Sequence, residues 1–500
     1  MIRNPIAIAT ARVASYVALA GFFLAPGLWW GPTFDAAAFM LVGSGIRAGG
    51  MPYRDYWEDK PPGLYLLNAV SQAGLPWLDR WLVCWLLTLV FTVVAAVIFY
   101  ALLRPRVGPV MAWAATLVCL CFVASYPMAL GGGYGESFAL PFVLGALWLL
   151  GKPDRRLRDC AATGLLLGIA CLLSLQSAPA AVGIGLGAAL GVSIWDSAKR
   201  FVVVGVAGVA LPLLAIAWLV LGGAGSQAYD VVVRYNSDFY RMNGQELFWL
   251  RLMLAVIVVS ALLPSVAAQV LSWLRRHRSP DRAESACIAW ILLSLASFIY
   301  EDRVFMHYLI LVAPAMIVIG APAFVRLMRL LRSPRAMPRR VAVVAQGSAV
   351  AMLAVAMLWG AQWPGTGAAI PADWHKDEVA VSVWIRANTA ASATVFVWGD
   401  HPEIYIDSDR TPASRYIFLD PMTTQGYWSE TATRTLLAQW QVNPPAVVVE
   451  TPEAVPLFRD ASSAADDPRT YDALADLRTF VRNGYRLAHT DGQADVWLRR

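Results

Sequence analysis

The sequence predicts an α-helical polytopic membrane protein with a small α/β domain at its carboxyl end. Three observations predict it: apolar stretches of bilayer length, basic residues gathered in every second loop, and an acidic, strand-rich stretch after residue 366. Of the 500 residues, 58% are hydrophobic and 15% charged. Soluble domains carry about 25% charged residues, so most of this chain belongs in lipid. The 21 tryptophans suit a chain that crosses membrane interfaces repeatedly.

A helix needs about 20 apolar residues to cross the hydrocarbon. About eleven segments approach that length, near 8–30, 80–103, 108–127, 137–151, 161–175, 178–195, 201–222, 248–273, 284–300, 305–325 and 341–362. Residues 63–78 read as a re-entrant or interfacial helix. The first segment follows Arg3 and Arg12 without a small-residue cleavage site, and reads as a retained first helix, not a signal peptide.

Basic residues set the orientation. With the amino terminus inside, the cytoplasmic ends hold 20 of the 28 Lys and Arg that precede residue 370. The opposite side holds 11 of the 16 acidic residues in that region, among them Asp35, Glu136 and Glu301. The basic balance therefore reflects membrane orientation, and no nucleic-acid partner is expected. Residues 1–365 form the membrane part and 366–500 a soluble outer α/β domain, where helical pieces alternate with β-rich runs at 393–399, 446–450, 485–490 and 494–500.

The six cysteines fall in or beside apolar segments and form no CxxC pair, so neither a disulfide framework nor a thiolate metal site is expected. GIGLGAAL at 183–190 lies in a membrane segment without a preceding strand, and reads as close helix packing, not a dinucleotide fingerprint. GGGYG at 131–135 lacks the Lys-Ser/Thr of a phosphate-binding Walker loop.

The polar stretch 31–65 is longer than a simple helix connection requires, which marks it as a functional loop. Phe34 to Ile46 reads as a short amphipathic helix with Phe34, Ala38, Leu41 and Val42 on one face, stopped by Gly49 and Gly50. Pro61-Pro62 forces Lys60 out of the α region. Asp35, at the membrane boundary, is either a proton acceptor or a first-turn acid that suits the helix dipole. The run Arg54-Asp55-Tyr56-Trp57-Glu58-Asp59-Lys60 suits a phosphate group; its plainer reading is snorkelling bases paired with neighbouring acids. Glu136 stands at a span mouth, as a functional group or a solvated loop acid. Arg303 and His307 are four residues apart, hence on one helical face, where they would meet a phosphate; His307 with Asp59 would meet a divalent metal.

Asp35 in the first outer loop, GGMPYRDYWEDKPP at 49–62, GGGYGESFALP at 131–141 and RVFMHY at 303–308 together resemble polytopic glycosyltransferases of the GT-C superfamily. The likeness covers about residues 1–330, and is strongest to the branch of protein O-mannosyltransferases and the lipid A aminoarabinose transferase (family 39/83-like). It implies a bacterial inner-membrane enzyme that moves a sugar from a polyprenyl-phosphate donor to a hydroxyl of a cell-envelope acceptor, whether lipid A, glycan or protein, with inversion and on the outer face. Carried over, Asp35 is the general base in the catalytic loop 31–65, and Glu136 organises the acceptor side. Lys60 and Arg303 hold the donor phosphate, with Arg54, His307 and Tyr308 beside them. No cofactor is required; Asp59 and His307 fall near positions where some relatives bind a divalent metal. Those relatives carry Glu before the lysine where this chain has Asp59, and Ala36 follows Asp35 here. The competing reading is a transporter or flippase of a lipid-linked or anionic substrate. That would call for mid-membrane polar residues, broken spans and repeated halves, whereas the acids here gather on one face.

Overall fold

The computed structural model describes residues 5–152, 156–190, 193–237, 262–276, 279–300, 305–331, 374–423, 427–451, 457–458, 472–491 and 494–500. Helices dominate up to residue 331. By length and composition, five described helices can cross a membrane: Pro5–Trp30, Arg80–Val107, Ile194–Leu221, Arg282–Tyr300 and Met306–Arg326. Pro109–Val123, Gly135–Leu150 and Leu175–Ala189 are apolar but shorter. The expected segment 341–362, and 248–261 of another, lie outside the described residues.

Burial sorts these helices into layers. The best window of Met306–Arg326 is 89% buried, which makes this helix the central post. That of Ile194–Leu221 is 11% buried, with Val202, Val206, Val209 and Leu213 pointing outward. An apolar outer face over the length of a span suits lipid and would be a liability in water. Small residues bring the spans together, as expected for GIGLGAAL: a Cβ on Gly183 would lie 2.6 Å from the backbone nitrogen of Trp290.

The stretch after the first span folds as two packed helices, Phe34–Arg47 and Pro62–Gly74. Phe34–Arg47 begins at Thr33, whose hydroxyl accepts from the Ala36 N–H at 3.4 Å, and ends just before Gly49 at φ +91°. It is not amphipathic as expected: Ala36 through Val42 are all buried. The reason is cover on several sides, from helix Pro62–Gly74, from Arg80–Val107 and from the short helix Glu403–Ser408 of the carboxyl region. Gln72 of Pro62–Gly74 donates to the Met40 carbonyl at 3.1 Å and accepts from the Ser44 hydroxyl at 2.8 Å, fixing the pair.

The carboxyl region is a five-stranded mixed sheet: β1 (Thr394–Trp398), β2 (Thr411–Pro412), β3 (Val447–Glu450), β4 (Tyr485–Asp491) and β5 (Ala494–Arg499). Its order is β2-β1-β3-β5-β4; β1 is parallel to β2 and β3, and β5 is antiparallel to β3 and β4. Val395 to Trp398 and Val447 to Val449 are fully buried, so these strands are covered on both faces. Trp440 of helix Tyr427–Val442 packs edge-on against Phe396 at 4.8 Å.

Candidate active site

Loop, spans and sheet enclose a cavity of about 500 Å³. A smaller cavity of about 100 Å³ adjoins it, and Asp59, Lys60, Tyr134, His307 and Tyr308 line both.

Residues 51–60 are built as a braced turn. Tyr53 adopts φ +66°, a region costly for an aromatic residue, and is fully buried. Its phenol donates to the Lys60 carbonyl at 2.7 Å, and the Tyr65 phenol donates to the same oxygen at 2.9 Å. The Lys60 N–H donates to Glu58 Oε2 at 3.0 Å, and the Asn236 side chain donates to the Asp59 carbonyl at 3.2 Å. Lys60, expected in extended backbone before Pro61, is thus held by its neighbours, and its ammonium meets Asp59 Oδ1 at 2.5 Å. Glu58 is 2% exposed, and burial, with Asp59 adding to it, pushes its pKa up to about 8. The Tyr65 phenol oxygen also lies in hydrogen-bond contact with the Glu58 carboxyl. The signal for Glu58 in the sequence is its position, two residues before a lysine that Pro61 follows.

Asp35 lines the larger cavity, and the Tyr134 phenol donates to its Oδ2 at 3.2 Å. Removal from bulk water pushes the Asp35 carboxyl above the usual carboxylate range, while the Lys60 charge opposes that shift. Tyr134 reaches Asp35 because Gly131, Gly132 and Gly133 all have φ between +83° and +125°. A Cβ on Gly133 would sit 2.7 Å from that of Ala36, the residue after Asp35.

Not every expected residue joins this group. Glu136 is buried, accepts from the Ser174 hydroxyl at 2.9 Å and lines only the smaller cavity, so it is neither a solvated loop acid nor a neighbour in the Asp35 cavity. Arg54 lines neither cavity: its guanidinium donates to both oxygens of Asp55 and to the Gly222 carbonyl, which turns it away from Lys60. His307 and Tyr308 line both cavities, and the His307 ring packs 4.5 Å from that of Tyr134. His307 stands in the 3-10 turn Met306–Tyr308, which follows an extended Phe305 (φ −92°, ψ 143°), and not in the helical turn that its spacing from residue 303 predicts. Arg303 lies outside the described residues. Asp59 and His307 share the cavity wall, but among the described residues no group of three or more His, Cys, Asp or Glu is placed to hold a metal ion.

The carboxyl region supplies an unexpected part of the wall, from the segments that follow β1 and β2: Asp400, His401, Glu403 and Phe418. Phe418 meets Phe34 at 5.9 Å and Trp57 at 5.5 Å, and the Trp57 N–H donates to the Arg415 carbonyl at 2.6 Å. The available signal was GDHPE directly after a β-rich run, since polar residues at the carboxyl end of a parallel strand are a common ligand position.

No curated protein matches the sequence. Among solved structures, the fold is similar to ArnT from Cupriavidus metallidurans bound to undecaprenyl phosphate, at 14% identity and a TM-score of 0.61, over 99% of this chain and 98% of that one. It is also similar to the Archaeoglobus fulgidus oligosaccharyltransferase in complex with Zn and sulfate, at 14% identity and a TM-score of 0.53, over 88% of this chain and 68% of that one. The same archaeal enzyme, AglB, in complex with an inhibitory peptide and a dolichol-phosphate, matches at 14% identity and a TM-score of 0.53, over 88% and 69%. The chain shares the fold of these solved structures. A family model matches residues 36–352, well over half of the sequence, and the chain therefore belongs to the competence-induced Ccs4 N-terminal domain family.

Proposed function

We propose that this protein is an inverting glycosyltransferase that moves a sugar from a polyprenyl-phosphate donor to a hydroxyl of a cell-envelope acceptor on the outer face of a bacterial inner membrane. One observation carries the reading: a base, Asp35, and a braced cation, Lys60, line a single cavity between membrane helices and the sheet. The acceptor O–H gives its proton to Asp35, and its oxygen forms a bond to the anomeric carbon. The bond from that carbon to the phosphate oxygen breaks, and the electron pair leaves with the phosphate. A raised Asp35 pKa makes it a better proton acceptor than a solvated aspartate. Lys60 meets the charge that develops on the phosphate, where a fixed cation is most effective. A single displacement inverts the anomeric carbon and needs one carboxylate for proton transfer, unlike the paired acids of glycoside hydrolases.

The test is Asp35→Asn in membranes supplied with radiolabelled polyprenyl-phosphate sugars and a native envelope extract as acceptor source. Transfer is expected to fall by about 10²–10⁴-fold, the usual contribution of a positioned base, with donor binding retained. Equal transfer by both proteins would remove Asp35 from the mechanism.

A further inference from the structure

The larger cavity has a second polar wall that the reaction above does not use. β1 ends at Trp398, and Asp400, His401 and Glu403 follow it on that wall. β1 lies between β2 and β3, both parallel to it, so the chain leaves β1 to one side and later returns on the other. In open α/β sheets such a reversal opens a ligand crevice at the carboxyl ends of the strands.

The side chains there are built in. His401 and Glu403 are 3% and 5% exposed, and His401 Nδ1 lies 2.7 Å from Glu403 Oε1. Asp400 Oδ1 accepts from the Leu419 N–H at 3.0 Å. Glu403 Oε2 is buried and has no hydrogen-bond partner among the described residues. A buried carboxylate oxygen without a donor is unfavourable, and a ligand hydroxyl would relieve it. The aromatic rings of Trp57 and Phe418 line the same cavity.

We propose that the 399–403 turn is a carbohydrate-binding subsite for the acceptor, whose ring hydroxyls donate to Glu403 and Asp400 while Trp57 and Phe418 cover its apolar face. His401 holds one oxygen of Glu403 and leaves the other for the ligand. The assignment rests on the transferase reading in one respect: the group that gives its proton to Asp35 is the acceptor, and Asp400, His401 and Glu403 line only the cavity that holds Asp35. Lys60, by contrast, also lines the smaller cavity.

The test uses the full chain in detergent with two probes, methyl glycosides of common hexoses and pentoses, and undecaprenyl phosphate. Saturation-transfer NMR should detect at least one glycoside on the wild type, with Kd at least tenfold weaker on Glu403→Gln. Undecaprenyl phosphate should raise the unfolding midpoint of both proteins alike, which shows that the variant is folded. Glu403→Asp withdraws the carboxylate by one methylene and should weaken the glycoside in the same way. Lys60→Met should do the reverse, losing the lipid-induced shift and keeping the glycoside. Absence of glycoside binding by the wild type, or unchanged binding by both Glu403 variants, overturns the subsite. A wild type that binds the glycoside but gains nothing from the lipid would sink the donor assignment and leave the subsite standing.

Discussion

Three residues separate two ion pairs in the 31–65 loop, and the fold puts them to different uses. Arg54 meets Asp55 at 2.7 Å and Lys60 meets Asp59 at 2.5 Å, and the two cations are similarly exposed, at 41% and 37%. Neither contact distance nor exposure of the base separates a site from a surface pair. The surroundings do. Arg54 closes on its own neighbour and on Gly222, away from both cavities. Lys60 lines both cavities on a backbone gripped by Tyr53, Tyr65 and Glu58. A solvated ion pair is a minor stabiliser; a pair whose backbone is immobilised beside a cavity is a placed charge.

Lys60→Met should produce the largest contrast. Transfer from a polyprenyl-phosphate sugar is expected to fall at least a hundredfold in kcat/KM, the scale for loss of one preorganised stabilising group. Activity within threefold of wild type would collapse the distinction between the pairs.

Glu58 sharpens the comparison through pH. Its folded pKa, about 8, lies above its ordinary value of 4.5. The folded chain therefore keeps a proton that the unfolded chain gives up above about pH 4.5. Stability attributable to Glu58 should fall as pH rises from about 4.5 to 8 and then level off. Thermal unfolding in detergent at pH 5, 6.5 and 8.5 should show this decline, and Glu58→Gln should remove most of it. An identical decline in the variant would mean that the neutral acid is not what braces Lys60. Arg54→Ala should do least: kcat/KM within about twofold and stability within about 1 kcal/mol. A drop of tenfold or more in kcat/KM would promote Arg54 to the site.

Much of this was legible in the sequence, because the signals are local. Pro61-Pro62 marked the start of the Pro62–Gly74 helix, the paired glycines marked the end of the Phe34–Arg47 helix, and Asp35 stood out in the first turn of that helix. Glu136 was placed at a span mouth, but its burial against Ser174 depends on a residue 38 positions away. The spacing of residues 303 and 307 predicts a helical turn, and an extended Phe305 interrupts that periodicity just before His307. The Asp400–Glu403 wall carries no local mark of its partner, since it meets the loop only after some 340 intervening residues have folded.

The Trp57–Arg415 contact has a consequence for how proteins of this fold can diversify. Trp57, three residues before Lys60, pairs with Tyr416 in an isolated parallel bridge, and Arg415 also donates to the Tyr53 carbonyl. Loop and sheet therefore share one hydrogen-bonded seam and are not interchangeable modules. A chimera that brings in a relative's sheet without its first loop would leave Trp57 without its acceptor and loosen the brace around Lys60. Grafts that move residues 31–65 together with the sheet should keep the seam, so that the cavity wall and its brace travel as a pair of segments far apart in the chain.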